Sequence, residues 1–279
     1  SHNQGQVTLR PVRTHLGRDR DRRRNLDAAM TTALGIDIGG TGIKGARVDL
    51  ASGELVSERV KYATPEGGHP GDILSVVAQI LDDLGGTSSD HTGICFPAVV
   101  THGITRSAAN VSADWIDFPA RDMFARSLDR DIHFVNDADA AGVAEARYGA
   151  AKGVRGLVIM LTLGTGIGSA FLMDGTLVPN SEIGHLELLG TDIEKRASNA
   201  ARERDGLSFP EWAAILTQYL THVEKIFSPE LFIIGGGISK ESQDFFPLID
   251  IATPLKAAEL LNNAGIVGAA YLAGNSLLD

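Results

Sequence analysis

The chain has 279 residues, 43% of them hydrophobic, and a formal net charge of −10. That length and apolar content suit one large α/β unit or two domains with real cores, and the acidic balance argues against a broad basic surface for a polyanion. A single cysteine, Cys95, excludes an intrachain disulfide and a multi-cysteine zinc site and fits a reducing, cytoplasmic setting, while no apolar run approaches a membrane span.

Residues 1–30 stand apart in composition. They hold seven arginines, no lysine and three aspartates, a local charge of +4, so the remainder carries −14. The segment lacks a hydrophobic signal region and reads as a basic N-terminal extension. Residues 34–45 then give an apolar strand, the turn Gly39-Gly40-Thr41-Gly42, and a second strand that reaches the turn Ala51-Ser52-Gly53-Glu54. This is a β-hairpin pattern. Residues 70–84 place Ile73, Val77, Ile80, Leu81 and Leu84 at helical spacing before Gly85-Gly86. A strand over 92–100, broken by Pro97, leads into a loop over 101–119. A helix over 119–128, a buried strand over 132–135 and a helix over 137–148 follow.

A second copy of the opening device begins at residues 156–163. It runs through Leu163-Gly164-Thr165-Gly166-Ile167-Gly168 and, like the first, ends near Gly-x-Leu-Val, at 53–56 and 175–178. A long amphipathic helix over 209–227 precedes a strand that enters Gly235-Gly236-Gly237, and a terminal helix over about 264–273 closes the chain. Gly lets successive N–H groups form an anion-holding nest. Neither turn is a P-loop or a dinucleotide fingerprint, because Lys44 is not followed by Ser or Thr and a strand, not a helix, follows each turn. Two matched turns predict two half-domains facing across a cleft, each offering N–H groups and a threonine hydroxyl to one phosphorylated ligand. The expected division is 1–30, a smaller α/β domain at 31–135 joined by the terminal helix 264–279, and a larger one at 136–263.

Asn136-Asp137 ends a strand and opens a helix, at the sheet edge where α/β proteins bind ligands. Asp137 is equally a helix N-cap candidate. Behind the second turn, Asn180-Ser181-Glu182-Ile183-Gly184-His185 crowds carboxylate and imidazole into one loop, which suits a polyhydroxyl ligand.

Asp37-Ile38-Gly39-Gly40-Thr41, Asn136-Asp137, Gly164-Thr165-Gly166-Ile167-Gly168, Glu182-Ile183-Gly184-His185 and Gly235-Gly236-Gly237 together resemble the ROK family of sugar kinases, over nearly the whole chain after Met30. Within it, 182–187, 192–198 and 200–204 look most like the polyphosphate-dependent glucokinases. The resemblance implies two actin-like, ribonuclease H-like half-domains around a central cleft. It implies phosphorylation of glucose, and of mannose as a further candidate, at the 6-hydroxyl by inorganic polyphosphate, ATP or both. Asp137 would be the general base. Asn110, Asn136, Glu182, His185 and Glu194 would bind sugar hydroxyls. Gly39, Gly40, Thr41, Lys44, Gly164, Thr165, Gly166 and Gly235 to Gly237 would hold the donor, and Asp37 would orient Mg²⁺, directly or through water. Many members carry a cysteine-rich zinc motif after the Gly-His pair. Here no cysteine follows Cys95, so zinc is not expected. Beyond sugar and donor no nucleic-acid or membrane partner is expected, and a homodimer is compatible with the reading. An ATP-only glucokinase or fructokinase and a sugar-sensing regulator are the alternatives.

Overall fold

The computed structural model describes residues 31–188 and 190–275. The expectation for the basic extension 1–30 and the end of the terminal segment lie outside them.

The first sheet is built from β1 (Thr32–Ile38), β2 (Gly42–Asp49) and β3 (Val60–Ala63). After α1 (Pro70–Asp83), β4 (Thr92–Phe96) joins it; the hairpin β5 (Val100–Thr101) and β6 (Ile104–Thr105) stands aside. Then α2 (Ala120–Leu128) leads to β7 (Ile132–Asn136). The sheet order is β3-β2-β1-β4-β7, with the first three strands antiparallel and β4 and β7 parallel to β1.

Helix α3 (Asp137–Tyr148) crosses to the second sheet. There β8 (Leu157–Leu163), β9 (Ile167–Met173) and β10 (Thr176–Val178) form the antiparallel part. A small ladder, β11 (Glu187–Leu188) and β12 (Thr191–Asp192), is followed by α4 (Glu194–Ala197), α5 (Asn199–Arg204) and α6 (Phe209–Phe227). Strand β13 (Leu231–Gly235), α7 (Ser242–Phe245), β14 (Leu255–Ala257) and α8 (Ala264–Asn275) complete the molecule. This sheet has the order β10-β9-β8-β13-β14. Numbered within its own half, each sheet reads 3-2-1-4-5, so the duplication seen in the turns extends to the whole topology.

Alternation sorts the side chains of β1 and β2. Ile36, Ile38 and Ile43 join Ile73, Val77 and Ile80 of α1 in one core. A second core, shared by both sheets, runs through α3 and α8 and joins Ala33 and Val48 to Val158, Met160 and Ile266. The outer face of the second sheet packs Ile159, Leu161, Phe232 and Ile234 on Trp212, Leu216 and Tyr219 of α6. Helix α6 starts at a capping box, Ser208 with Glu211.

Three local expectations change. Residues 53–56 form a turn with one bridge, Val48 to Leu55, and the third strand comes later at β3. The strand over 92–100 stops at Phe96, because Pro97 has no N–H for the ladder. The loop over 101–119 holds the β5–β6 hairpin and the fully buried Trp115, whose indole donates to the Gly68 carbonyl at 2.8 Å.

Candidate active site

The strand pairing places both glycine turns at matching ends of their sheets. Ile38 pairs with Ile43 across the first turn, and Leu163 pairs with Ile167 across the second. In the first, the Gly39 N–H donates to Gly42 O; in the second, Gly164 N–H donates to Gly166 O. Among the described residues no acceptor takes the N–H of Gly40, Thr41, Thr165 or Gly166. Both threonines are exposed. Each tip therefore presents two N–H groups beside a threonine hydroxyl, the donor set of an anion nest.

Between the sheets lies a cavity of about 180 Å³ lined by Asp37, Lys44, Asp137, Thr162, Gly235 and Gly236, with Asn262 and Gly265 on its far wall. Of the expected donor residues, Gly237 and the two turn tips do not line it. Asp37 is bracketed: Lys44 Nζ donates to Oδ2 at 2.7 Å, and the Cys95 thiol approaches Oδ1 at 3.5 Å. Burial and the Asp37 charge push the Cys95 thiol well up, so it stays an S–H donor. Gly265 makes room for this arrangement, since a Cβ there would stand 2.9 Å from Asp37 Cγ.

Asp137 opens α3, but the cap is its neighbour: Asn136 Oδ1 accepts from Asp139 N at 3.0 Å, and Asn136 Nδ2 donates to Ala98 O at 3.0 Å. The N-cap reading of Asp137 is thereby corrected. Among the described residues its carboxylate accepts only from the adjacent Ala138 N–H, at 2.8 Å. Burial, then the Asp37 charge, push the Asp137 carboxyl up to about 7, against that N–H. Nearby, Asp139 is 1% exposed and is also pushed up to about 7, chiefly by burial.

The loop at 180–185 lies against the start of α4. His185 Nδ1 lies 3.4 Å from Asp192 Oδ2 and 3.8 Å from Glu194 Oε1. Burial raises the Glu182 carboxyl, opposed by the His185 charge. Glu194 also reaches the second turn, where Oε2 accepts from Ile167 N at 3.2 Å. Asn110, in the left-handed region at φ 60°, packs its Cβ against Gly40 and makes no hydrogen bond to Glu182, His185 or Glu194. Asn262 and Gly265 are contacts that sequence reading missed, because each acts across more than two hundred residues.

Lys152 and Arg155 precede β8, whose other end carries the second turn, about 20 Å away for a seven-residue strand. Arg202 stacks on Phe209 at 4.9 Å, and Arg204 pairs with Asp205 at 2.7 Å.

Residues 33–199 match the ROK family model. A polyphosphate glucokinase of Mycobacterium tuberculosis is 46% identical over 238 residues, 85% of this chain and 89% of that protein. The crystal structure of an inorganic polyphosphate/ATP-glucomannokinase from Arthrobacter sp. strain KM superposes with a TM-score of 0.83 at 48% identity, covering 89% of this chain and 100% of that one. A ROK family glucokinase from Streptomyces griseus, in complex with glucose and AMPPNP, superposes at 0.72 with 25% identity, covering 86% and 98%. On the family model and on identity over most of its length, this chain belongs to the ROK family.

Proposed function

We propose that this chain transfers a phosphoryl group from inorganic polyphosphate, ATP or both to the 6-hydroxyl of glucose, with mannose as a further acceptor, in the cytoplasm. The observation that carries the reading is Asp137, a carboxyl held near neutrality on a cavity that also contains Asp37, Lys44 and Gly236. The relatives that match most of the chain act in their names on glucose or on glucose and mannose.

A primary alcohol is a weak nucleophile, and a base in hydrogen-bond reach contributes roughly 10²–10⁴-fold. Asp137 would take the 6-hydroxyl proton. The free N–H groups at Gly40, Thr41, Thr165 and Gly166 would fix the donor's oxygens as charge shifts in the transition state. Glu182, His185 and Glu194 would hold sugar hydroxyls, with Asn136 and Asn110 at the margins. Two carboxylates on one cavity fit Mg²⁺, which binds through one or two carboxylates plus substrate phosphates. Asp37 is the residue that would hold it; when bound, it would neutralise donor charge. The division into domains at 31–135 and 136–263, closing on the sugar to exclude water, belongs to the same proposal.

The test is glucose 6-phosphate formation with Mg²⁺ and either long-chain polyphosphate or ATP as sole donor. Turnover with polyphosphate is expected. Turnover with ATP alone would leave a sugar kinase and remove the polyphosphate donor; no turnover from folded, glucose-binding protein would sink the kinase reading.

A further inference from the structure

We propose that Lys61 of the edge strand β3 and Arg59, just before it, form a cationic track that holds the distal part of a linear inorganic polyanion whose end reacts at the cavity. The inference rests on the polyphosphate reading above and extends it to residues with no role there.

The track follows from strand register. Asp37 pairs with Lys44 across β1 and β2, and Lys44 pairs with Lys61 across β2 and β3. Directly opposed residues share a face, so Asp37, Lys44 and Lys61 form one row leading from the cavity wall to the sheet edge. Like charges directly opposed across strands are destabilising. Asp37 compensates Lys44 at 2.7 Å; among the described residues nothing comparable compensates Lys61. The Lys61 side chain instead lies along Gly42, its Nζ 3.8 Å from where a Cβ would stand, beside the first glycine turn.

Arg59 lies two residues before Lys61. Its Nη1 donates to Asn263 Oδ1 at 2.9 Å, while Lys44 Nζ donates to Asn262 O at 3.2 Å. Arg59 and Lys44 thus meet adjacent residues of one segment at the cavity rim. Both Arg59 and Lys61 are exposed, and among the described residues neither has a carboxylate within ion-pair distance. The nearby acid, Asp83, is bound by Tyr62 Oη at 2.6 Å on the other face of β3. Three cations whose Cα positions step by about 5–7 Å suit a linear polyanion better than a single phosphate. The whole-chain charge of −10 makes such a local strip the more telling.

The experiment compares wild type, the double variant Lys61→Ala/Arg59→Ala, and Lys61→Arg, each with long-chain polyphosphate, tripolyphosphate and ATP. In the double variant kcat/KM for long-chain polyphosphate should fall roughly tenfold more than that for ATP, the size of a lost charge-assisted contact. The loss should grow with donor length, and Lys61→Arg should restore most of it. The slope of log KM against log salt should drop by about one per cation removed. Equal losses with polyphosphate and ATP, or no loss, would overturn the track. Wild type that turns over ATP but not polyphosphate would fail the donor reading separately. Calorimetric titration with long-chain polyphosphate then decides: binding that the double variant loses keeps the track, and absence of binding overturns it.

Discussion

Burial and the Asp37 charge hold the Asp137 carboxyl near pH 7, so the fraction ready to accept a proton changes steeply across the physiological range. The expected pH profile of kcat/KM for glucose has an acid limb near 7, below which the rate falls about tenfold per pH unit. A limb near 4 would mean that Asp137 is not the base, or is not buried when substrate arrives. Asp137→Asn should lower kcat by about 10²–10⁴-fold with glucose KM within a few-fold, because only a transition-state role is removed. Asp139 shows the same shift with a different consequence. Its carboxyl accepts from Asn180 N at 2.8 Å on one oxygen, and the other is buried with no partner among the described residues. A carboxyl whose folded pKa is raised to about 7 binds its proton in the folded state where the unfolded chain has released it. Stability from this group is therefore lost as pH rises from about 4 to about 7. Asp139→Asn keeps an acceptor and removes the titration, so it should raise the unfolding free energy at pH 8 relative to wild type, by on the order of 1–2 kcal/mol, and by less at pH 5. An equal effect at both pH values would refute the buried charge. Asp137 and its neighbour Asn136 could be singled out from sequence because their chemistry is local, at a strand end. Which of the two caps α3 depended on side-chain direction, which spacing does not encode.

Helix α8 sets how closely the elements around the cavity pack. It lies between the first sheet and α3, and small residues make that approach possible: a Cβ on Gly268 would overlap the Ala140 carbonyl of α3. Gly268→Ala should therefore cost about 1–3 kcal/mol or more in urea unfolding, with no change in catalytic groups. A midpoint at the wild-type value would mean that the two helices separate freely. Gly265, one turn earlier, faces Asp37 and Cys95 instead, so there the same substitution should act on turnover before stability. The hairpins, the α1 and α6 periodicities and the twin glycine turns were legible because each is written in fewer than twenty consecutive residues. The terminal helix was expected to join the first half, but its individual partners on β1, β4 and α3 come from distant parts of the chain. Lys61 was invisible for a related reason: its place opposite Lys44 is a matter of register, fixed by the turn at 49–54 and the irregular segment after it.

At the scale of the whole molecule, one side chain joins the first half to the loop that would hold sugar. Asn180 Oδ1 accepts from Val100 N at 2.9 Å, and its Nδ2 donates to Val100 O at 2.8 Å, so the amide pairs with β5 as a neighbouring strand would. The residue takes a left-handed backbone at φ 59°, a conformation Asn tolerates better than most residues. Its N–H holds Asp139, and two residues later comes Glu182. Three elements are thus fastened at one point: the β5–β6 hairpin, helix α3 and the start of the loop at 180–185. Asn180→Ala removes two hydrogen bonds at that junction and leaves Asp137 and both glycine turns in place. The expected stability loss is about 1–3 kcal/mol, from two bonds of ordinary strength. The expected kinetic signature is a glucose KM raised roughly tenfold with kcat changed much less, because the loop would be ordered only at the cost of binding energy. Donor KM should move little, since Asn180 does not line the cavity that holds Asp37, Lys44 and Asp137. Asn180→Asp supplies the control. It keeps the acceptor for Val100 N but faces Val100 O and the Asp139 carboxyl with a second negative charge, so its glucose KM should rise further, and should recover as pH falls and the acids protonate. If both variants kept wild-type glucose KM, Asn180 would be a fold contact alone, and the two halves would meet the sugar without its help.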